Sequence, residues 1–118
     1  MLDHVGLRTT QYAEMLRFYE AALAPLGYTK TMDVGVAAGL GRNGEVPLWI
    51  GEGPAASSVH LAIAAASRDE VDAFYQAALA NGATDNGPPG PRPHYHETYY
   101  GAFVLDPDGN NLEAVCHG

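Results

Sequence analysis

Phe18-Tyr19-Glu20-Ala21-Ala22-Leu23-Ala24 returns almost letter for letter as Phe74-Tyr75-Gln76-Ala77-Ala78-Leu79-Ala80. The offset, 74 − 18 = 56, carries His60 back onto His4, so each copy opens on a histidine at the same distance ahead of its Phe-Tyr. The chain is therefore two copies of one unit. A half of this length buries too little apolar surface to stand alone, so the two must pack into one body. Residues remote in sequence become pseudo-symmetry mates, and two related histidines facing a shared interior can form a metal site.

Working outward, each helix carries one apolar stripe. Met15, Phe18, Tyr19, Ala22 and Leu23 recur at helical spacing, and Val71, Phe74, Tyr75, Ala78 and Leu79 repeat them position for position. Thr10 is the expected N-cap of the first helix, and Pro25 with Gly27 stops it. Ser67-Arg68-Asp69-Glu70 reads as a capping box for the second, which ends at Asn81-Gly82. Ahead of each helix lies an alternating strand, Leu2 to Arg8 and Val59 to Ala65. Val5 and Leu7, like Leu61 and Ile63, take the face opposite the histidine.

Tyr28 to Asp33, Val36 to Arg42 and Pro47 to Glu52 read as three further strands, with Asn43-Gly44 a type I′ hairpin turn. Residues 54–58 link module one, 1–53, to module two, 59–118. Four prolines between Asn86 and His96 predict a loop without regular structure. A hairpin closes the chain: Tyr99 to Leu105, the turn Asp106-Pro107-Asp108-Gly109-Asn110, then Asn111 to Cys116. The class is α+β, one domain of two modules with helices on one sheet face and the other face free.

Composition bounds the function. The 118 residues are 47% hydrophobic with a net charge of −8, enough for a core and too acidic for a nucleic-acid footprint from six Lys and Arg. No apolar run spans a bilayer and no signal segment opens the chain. The lone Cys116 cannot form an internal disulfide and reads as a buried apolar residue, which points to a reducing cytoplasm.

On the last strand Glu113 sits between apolar neighbours and calls for a partner. His4, His60 and Glu113 make two imidazoles and a carboxylate, the ligand set of the facial triad, which binds a divalent metal and leaves positions for substrate. Fe(II) is the first choice, with Mn, Ni or Zn as alternatives. The symmetry mate of Glu113 is Trp49. Arg92, His94, Tyr95, His96, Tyr99 and Tyr100 cluster around the proline-rich loop. His94, His96 and Tyr99 are candidate acid/base groups, while Arg92, Tyr95, Tyr100 and Trp49 are candidate substrate-binding residues.

Asp3-His4-Val5-Gly6-Leu7, Phe18-Tyr19, His60, and Asp106-Pro107-Asp108-Gly109-Asn110 followed by Glu113 together resemble the vicinal oxygen chelate superfamily. That group holds glyoxalases, bleomycin-resistance proteins and extradiol dioxygenases. The resemblance implies paired βαβββ modules, each half of a cup around a metal held by His4, His60 and Glu113. It implies a Lewis-acid metal chelating two neighbouring substrate oxygens, with dioxygenase or lyase chemistry. Trp49 stands where a fourth ligand is expected in lactoylglutathione lyases. The alternative is a binding protein that sequesters a drug or metabolite without turnover. The resemblance also implies a homodimer, with each cup either closed within a chain or completed across the interface, and a small molecule as substrate.

Overall fold

Strand β1 (Val5–Thr9) buries Leu7 and Thr9 on one face and leaves Gly6 and Arg8 outside, the alternation expected of a half-covered strand. The computed structural model describes all 118 residues. Helix α1 (Tyr12–Leu23) follows and buries Met15, Phe18, Tyr19, Ala22 and Leu23, the stripe read from its sequence, together with Leu16. A 3₁₀ turn at Ala24–Leu26 then ends on Gly27, whose φ of 86° is left-handed. Strands β2 (Thr29–Asp33), β3 (Ala37–Arg42) and β4 (Glu45–Glu52) complete module one, in the order β1-β4-β3-β2. Asn43 and Gly44 both have positive φ, 55° and 81°, as a type I′ turn requires.

Module two repeats the plan. Strand β5 (His60–Ala64), helix α2 (Arg68–Ala80) and strands β6 (Thr84–Asp85), β7 (Gly90–Pro91), β8 (Tyr100–Leu105) and β9 (Asn111–Cys116) follow in chain order. The second sheet runs β5-β9-β8-β6, the same order element for element, and β7 pairs with β8. The register confirms the symmetry at the residue level. Val5 lies opposite Leu48 and Gly6 opposite Trp49, as Leu61 lies opposite Leu112 and Ala62 opposite Glu113. Trp49 and Glu113 are thus true mates.

Two local expectations change. Gln11, not Thr10, caps α1 and makes no side-chain cap; Thr9 Oγ1 instead accepts from the Gln11 N–H at 3.0 Å. The proline-rich segment is not wholly irregular, since Gly90 and Pro91 pair with Gly101 and Tyr100. Pro91 is tolerated because β7 has a neighbour on one side only, so its missing N–H breaks no ladder. At α2 the Ser67 hydroxyl accepts from the Glu70 N–H at 3.2 Å, while the Glu70 carboxylate reaches back to the N–H of Ala66, one residue beyond the usual box.

One continuous apolar cluster joins the modules, with Phe18 and Tyr19 of α1 and Phe74 and Tyr75 of α2 in the same core. Polar stitches reinforce it. Tyr19 donates to Asp106 at 2.6 Å in a buried contact, and Gln11 donates to Asp108 at 2.6 Å. The helix of module one is therefore tied to the closing turn of module two. No helix is long and apolar enough to cross a membrane.

Candidate metal and substrate site

The closing turn does positional work for the site. Asp106 Oδ1 accepts from the N–H groups of Asp108 and Asn110, both at 2.9 Å, and Oδ2 accepts from Asn110 Nδ2 at 2.8 Å. Asn110 Oδ1 in turn accepts from the Val59 N–H at 2.9 Å. The Asp-Pro-Asp-Gly-Asn motif thereby clamps the start of β5 against the start of β9. Those strands carry His60 and Glu113.

Ala62, two residues beyond His60 on the same strand face, lies opposite Glu113 in the parallel pairing. The result is contact: His60 Nε2 lies 2.8 Å from Glu113 Oε1. Glu113 is 1% exposed, so its oxygens need such partners. Its second oxygen, Oε2, accepts from the Tyr99 hydroxyl. Burial first, then this hydrogen bond, pushes the Tyr99 hydroxyl up to about 12, so it remains a donor at neutral pH. Gly101 leaves room for the contact, since a Cβ there would lie 3.4 Å from Glu113 Oε2 and 3.1 Å from the Tyr99 ring and press on both. Phe103 follows on the same face, its ring centroid 6.2 Å from that of His60.

His4 is elsewhere. It is exposed, paired with Asp3 at 2.8 Å, and lines an apolar groove of about 210 Å³ with Val5, Leu48, Leu61 and Ile63. His60 lines a different, polar cavity of about 340 Å³ with Asn86, Gly87, Arg92, Tyr95, Phe103 and Asn111. No three His, Cys, Asp or Glu side chains of one chain are grouped to hold a metal ion. A cup closed within one chain around all three expected ligands is therefore not formed. His60 and Glu113 are brought together, and His4 is not among their neighbours.

The loop residues divide. Tyr99 reaches Glu113. His96 instead takes the Thr98 N–H on its Nδ1 at 3.3 Å and packs against His117. His94 stacks on Tyr95 at 4.2 Å between ring centroids, and Tyr95 meets Tyr99 edge-on. Both histidines are exposed and neither bonds to His60 or Glu113. Tyr100 is placed differently. Its hydroxyl donates to Asp72 of α2 at 2.7 Å and Arg68 lies over its ring, because strand alternation turns it to the side away from Tyr99. Trp49 is half-buried beside Gly39, where any Cβ would lie 3.2 Å from its ring.

Phe103, Gly101, Asn86 and Asn111 escaped the sequence reading. The signal was available for the first two, since Gly101 and Phe103 on β8 continue the alternation begun at Tyr99, just ahead of that strand, on the Glu113 side. Asn86 and Asn111 gave none, because cavity walls assembled from a loop and a strand end leave no spacing pattern.

The chain matches the Glyoxalase/Bleomycin resistance protein/Dioxygenase superfamily over residues 1–114 and belongs to it. Among solved structures it is similar to a glyoxalase/bleomycin resistance protein from Albidiferax ferrireducens, at 28% identity and a TM-score of 0.83, with 98% of each chain covered. A glyoxalase/bleomycin resistance protein/dioxygenase family enzyme from Burkholderia phytofirmans shares the fold at 20% identity and a TM-score of 0.75, covering 99% of this chain and 98% of its own. So does the oxidase ChaP-H2, at 20% identity and 0.71, covering 100% and 94%. No curated protein matches the sequence.

Proposed function

We propose that this protein is a metal-dependent enzyme acting on a small molecule through two neighbouring oxygens, by dioxygenase or lyase chemistry. The observation that carries the reading is Glu113, a buried carboxylate bonded by His60 on an open sheet face beside a polar cavity. An imidazole and a carboxylate suit Fe(II), Mn, Ni or Zn. His60 and Glu113 would hold the ion, with His4 of a second copy as the third protein ligand. The ion would supply Lewis acidity to the substrate oxygens. Tyr99 fixes one carboxylate oxygen and leaves the other directed at His60. Superfamily membership supports the class, and the fold shared with an oxidase is in keeping with oxygen chemistry.

Elemental analysis of untagged protein, followed by titration with Fe(II), Mn(II), Ni(II) and Zn(II), tests this. Near-stoichiometric binding, lost in His60→Ala and in Glu113→Ala, is the expected result. No binding of any of the four ions would remove the basis of the proposal.

Trp49 favours a second reading, sequestration of a planar ligand against the open face of the first sheet. Ligand binding indifferent to chelator and to His60→Ala would select it.

A further inference from the structure

Arg92 is held in a built seat. Its Nη1 donates to the Gly90 carbonyl at 2.9 Å and more weakly to that of Pro91, and its Nη2 to the Pro88 carbonyl at 2.8 Å. The guanidinium lies over Phe103, its Cζ 5.5 Å from the ring centroid. Two glycines clear the space. A Cβ at Gly90 would lie 3.3 Å from Nη1, and one at Gly87, whose φ is 144°, 3.4 Å from Nη2. These contacts leave the Nε–H and one Nη2–H without a protein acceptor.

They also leave the charge unanswered. The ion pairs of the chain are Asp3–His4, Glu14–Arg17, Lys30–Asp33 and His60–Glu113, and none includes Arg92. In a protein of net charge −8, a half-buried cation without a carboxylate partner is conspicuous when it faces a polar cavity. The walls there add Asn86 and Asn111 and no acidic residue. Phe103 is shared, its ring centroid 5.5 Å from Arg92 Cζ and 6.2 Å from that of the His60 ring, so one small molecule can span both groups.

We infer that this cavity is a carboxylate subsite, with Arg92 the counter-ion of an acidic substrate whose other oxygens lie toward His60. The substrate class is a small carboxylic acid with an oxygen function beside or near the carboxylate. A fixed, forked donor on a rigid aromatic floor suits a planar anion better than a mobile lysine would. The subsite itself stands apart from the metal; only the placement of the remaining oxygens rests on the function proposed above.

Salicylate and salicylamide differ by the charge of one planar group and serve as probes. On chelator-treated protein followed by NMR, salicylate should shift the Arg92 Nε–H and Gly87 N–H signals saturably. It should bind about tenfold tighter than salicylamide, the scale of one charge-assisted hydrogen bond. Arg92→Met and Asn86→Asp should each abolish the preference. The second leaves the loop's carbonyl contacts intact, so it remains informative if the first disturbs the loop. Equal binding of the two probes, no saturable shift, or a preference that survives Asn86→Asp would overturn the subsite. A divalent-ion titration of the same sample separates the two proposals. Ion binding without probe preference leaves the metal site and removes the subsite; preference without ion binding does the reverse.

Discussion

Glu113 and Asp106 are both buried carboxylates, yet their surroundings give them opposite assignments. Asp106 is saturated by backbone and side-chain donors and closes a turn. Glu113 meets an imidazole and a phenol on an open face, with room beside it. Tyr19→Phe should therefore cost stability alone, about 1–3 kcal/mol for the lost buried hydrogen bond, read by urea unfolding, with metal affinity unchanged. Tyr99→Phe should cost a similar amount, because it strips a donor from buried Glu113, and should in addition lower metal affinity about 10- to 100-fold. Unaltered metal binding in Tyr99→Phe would make that hydroxyl a packing feature only. The same phenols set the alkaline limit. Burial first, then Asp106, raises Tyr19, and Tyr99 is raised to about 12 from the ordinary 10.0. Below about pH 10 both phenols are protonated in either state and their contribution to stability is constant. Between about 10 and 12 the unfolded chain ionises while the folded one resists, so stability must fall as pH rises. A stability profile that stays flat through that window would contradict the assignment.

At the scale of elements, the two helices start differently although their stripes match. Ser67 caps α2 through the Glu70 N–H, whereas α1 has no side-chain cap. Ser67→Ala should cost about 1 kcal/mol, measured by chemical unfolding. A value near zero would show that packing of Val71 and Phe74 alone fixes where the helix begins. The β3–β4 hairpin carries a tighter constraint. A register shift between Leu40 and Arg42 brings the Glu45 carbonyl against Gly41, leaving no space for a Cβ. Gly41→Ala should destabilise by at least about 1–3 kcal/mol, as overpacking does, whereas Gly6→Ala meets open space and should be close to neutral.

For the whole molecule, the separation of His4 from the His60–Glu113 pair makes the assembly the deciding quantity. Edge strands β1 and β5 each have a partner on one side only, and both approach the groove that His4 lines. A two-fold pairing that brings His4 of one copy to His60 and Glu113 of the other would give two equivalent sites. Mixing a His4→Ala chain with a Glu113→Ala chain should then restore metal binding, because each heterodimer regains one intact site. No restoration, or a monomeric mass at micromolar concentration, would exclude the shared site.

The internal repeat, read from Phe18-Tyr19 and Phe74-Tyr75, was enough to fix the two modules, both helices and the pairing of Trp49 with Glu113 as mates, and the Asn43-Gly44 dipeptide was enough for the I′ turn. Local periodicity and turn chemistry specify these, and both are written in the order of residues. Sequence alone also put His60 and Glu113 on one face, where the structure brings them into contact, because strand alternation decides which side chains share a face. It could not say that His4 would lie apart from them. That depends on how the two sheets pack about a common core, and the repeat is silent on packing. Nor could it tell Tyr99 from Tyr100 as a site residue, or show Arg92 seated over Phe103 with its charge unpaired. Those facts arise only when β7 closes on β8 and brings a loop, a strand and two glycines to one place.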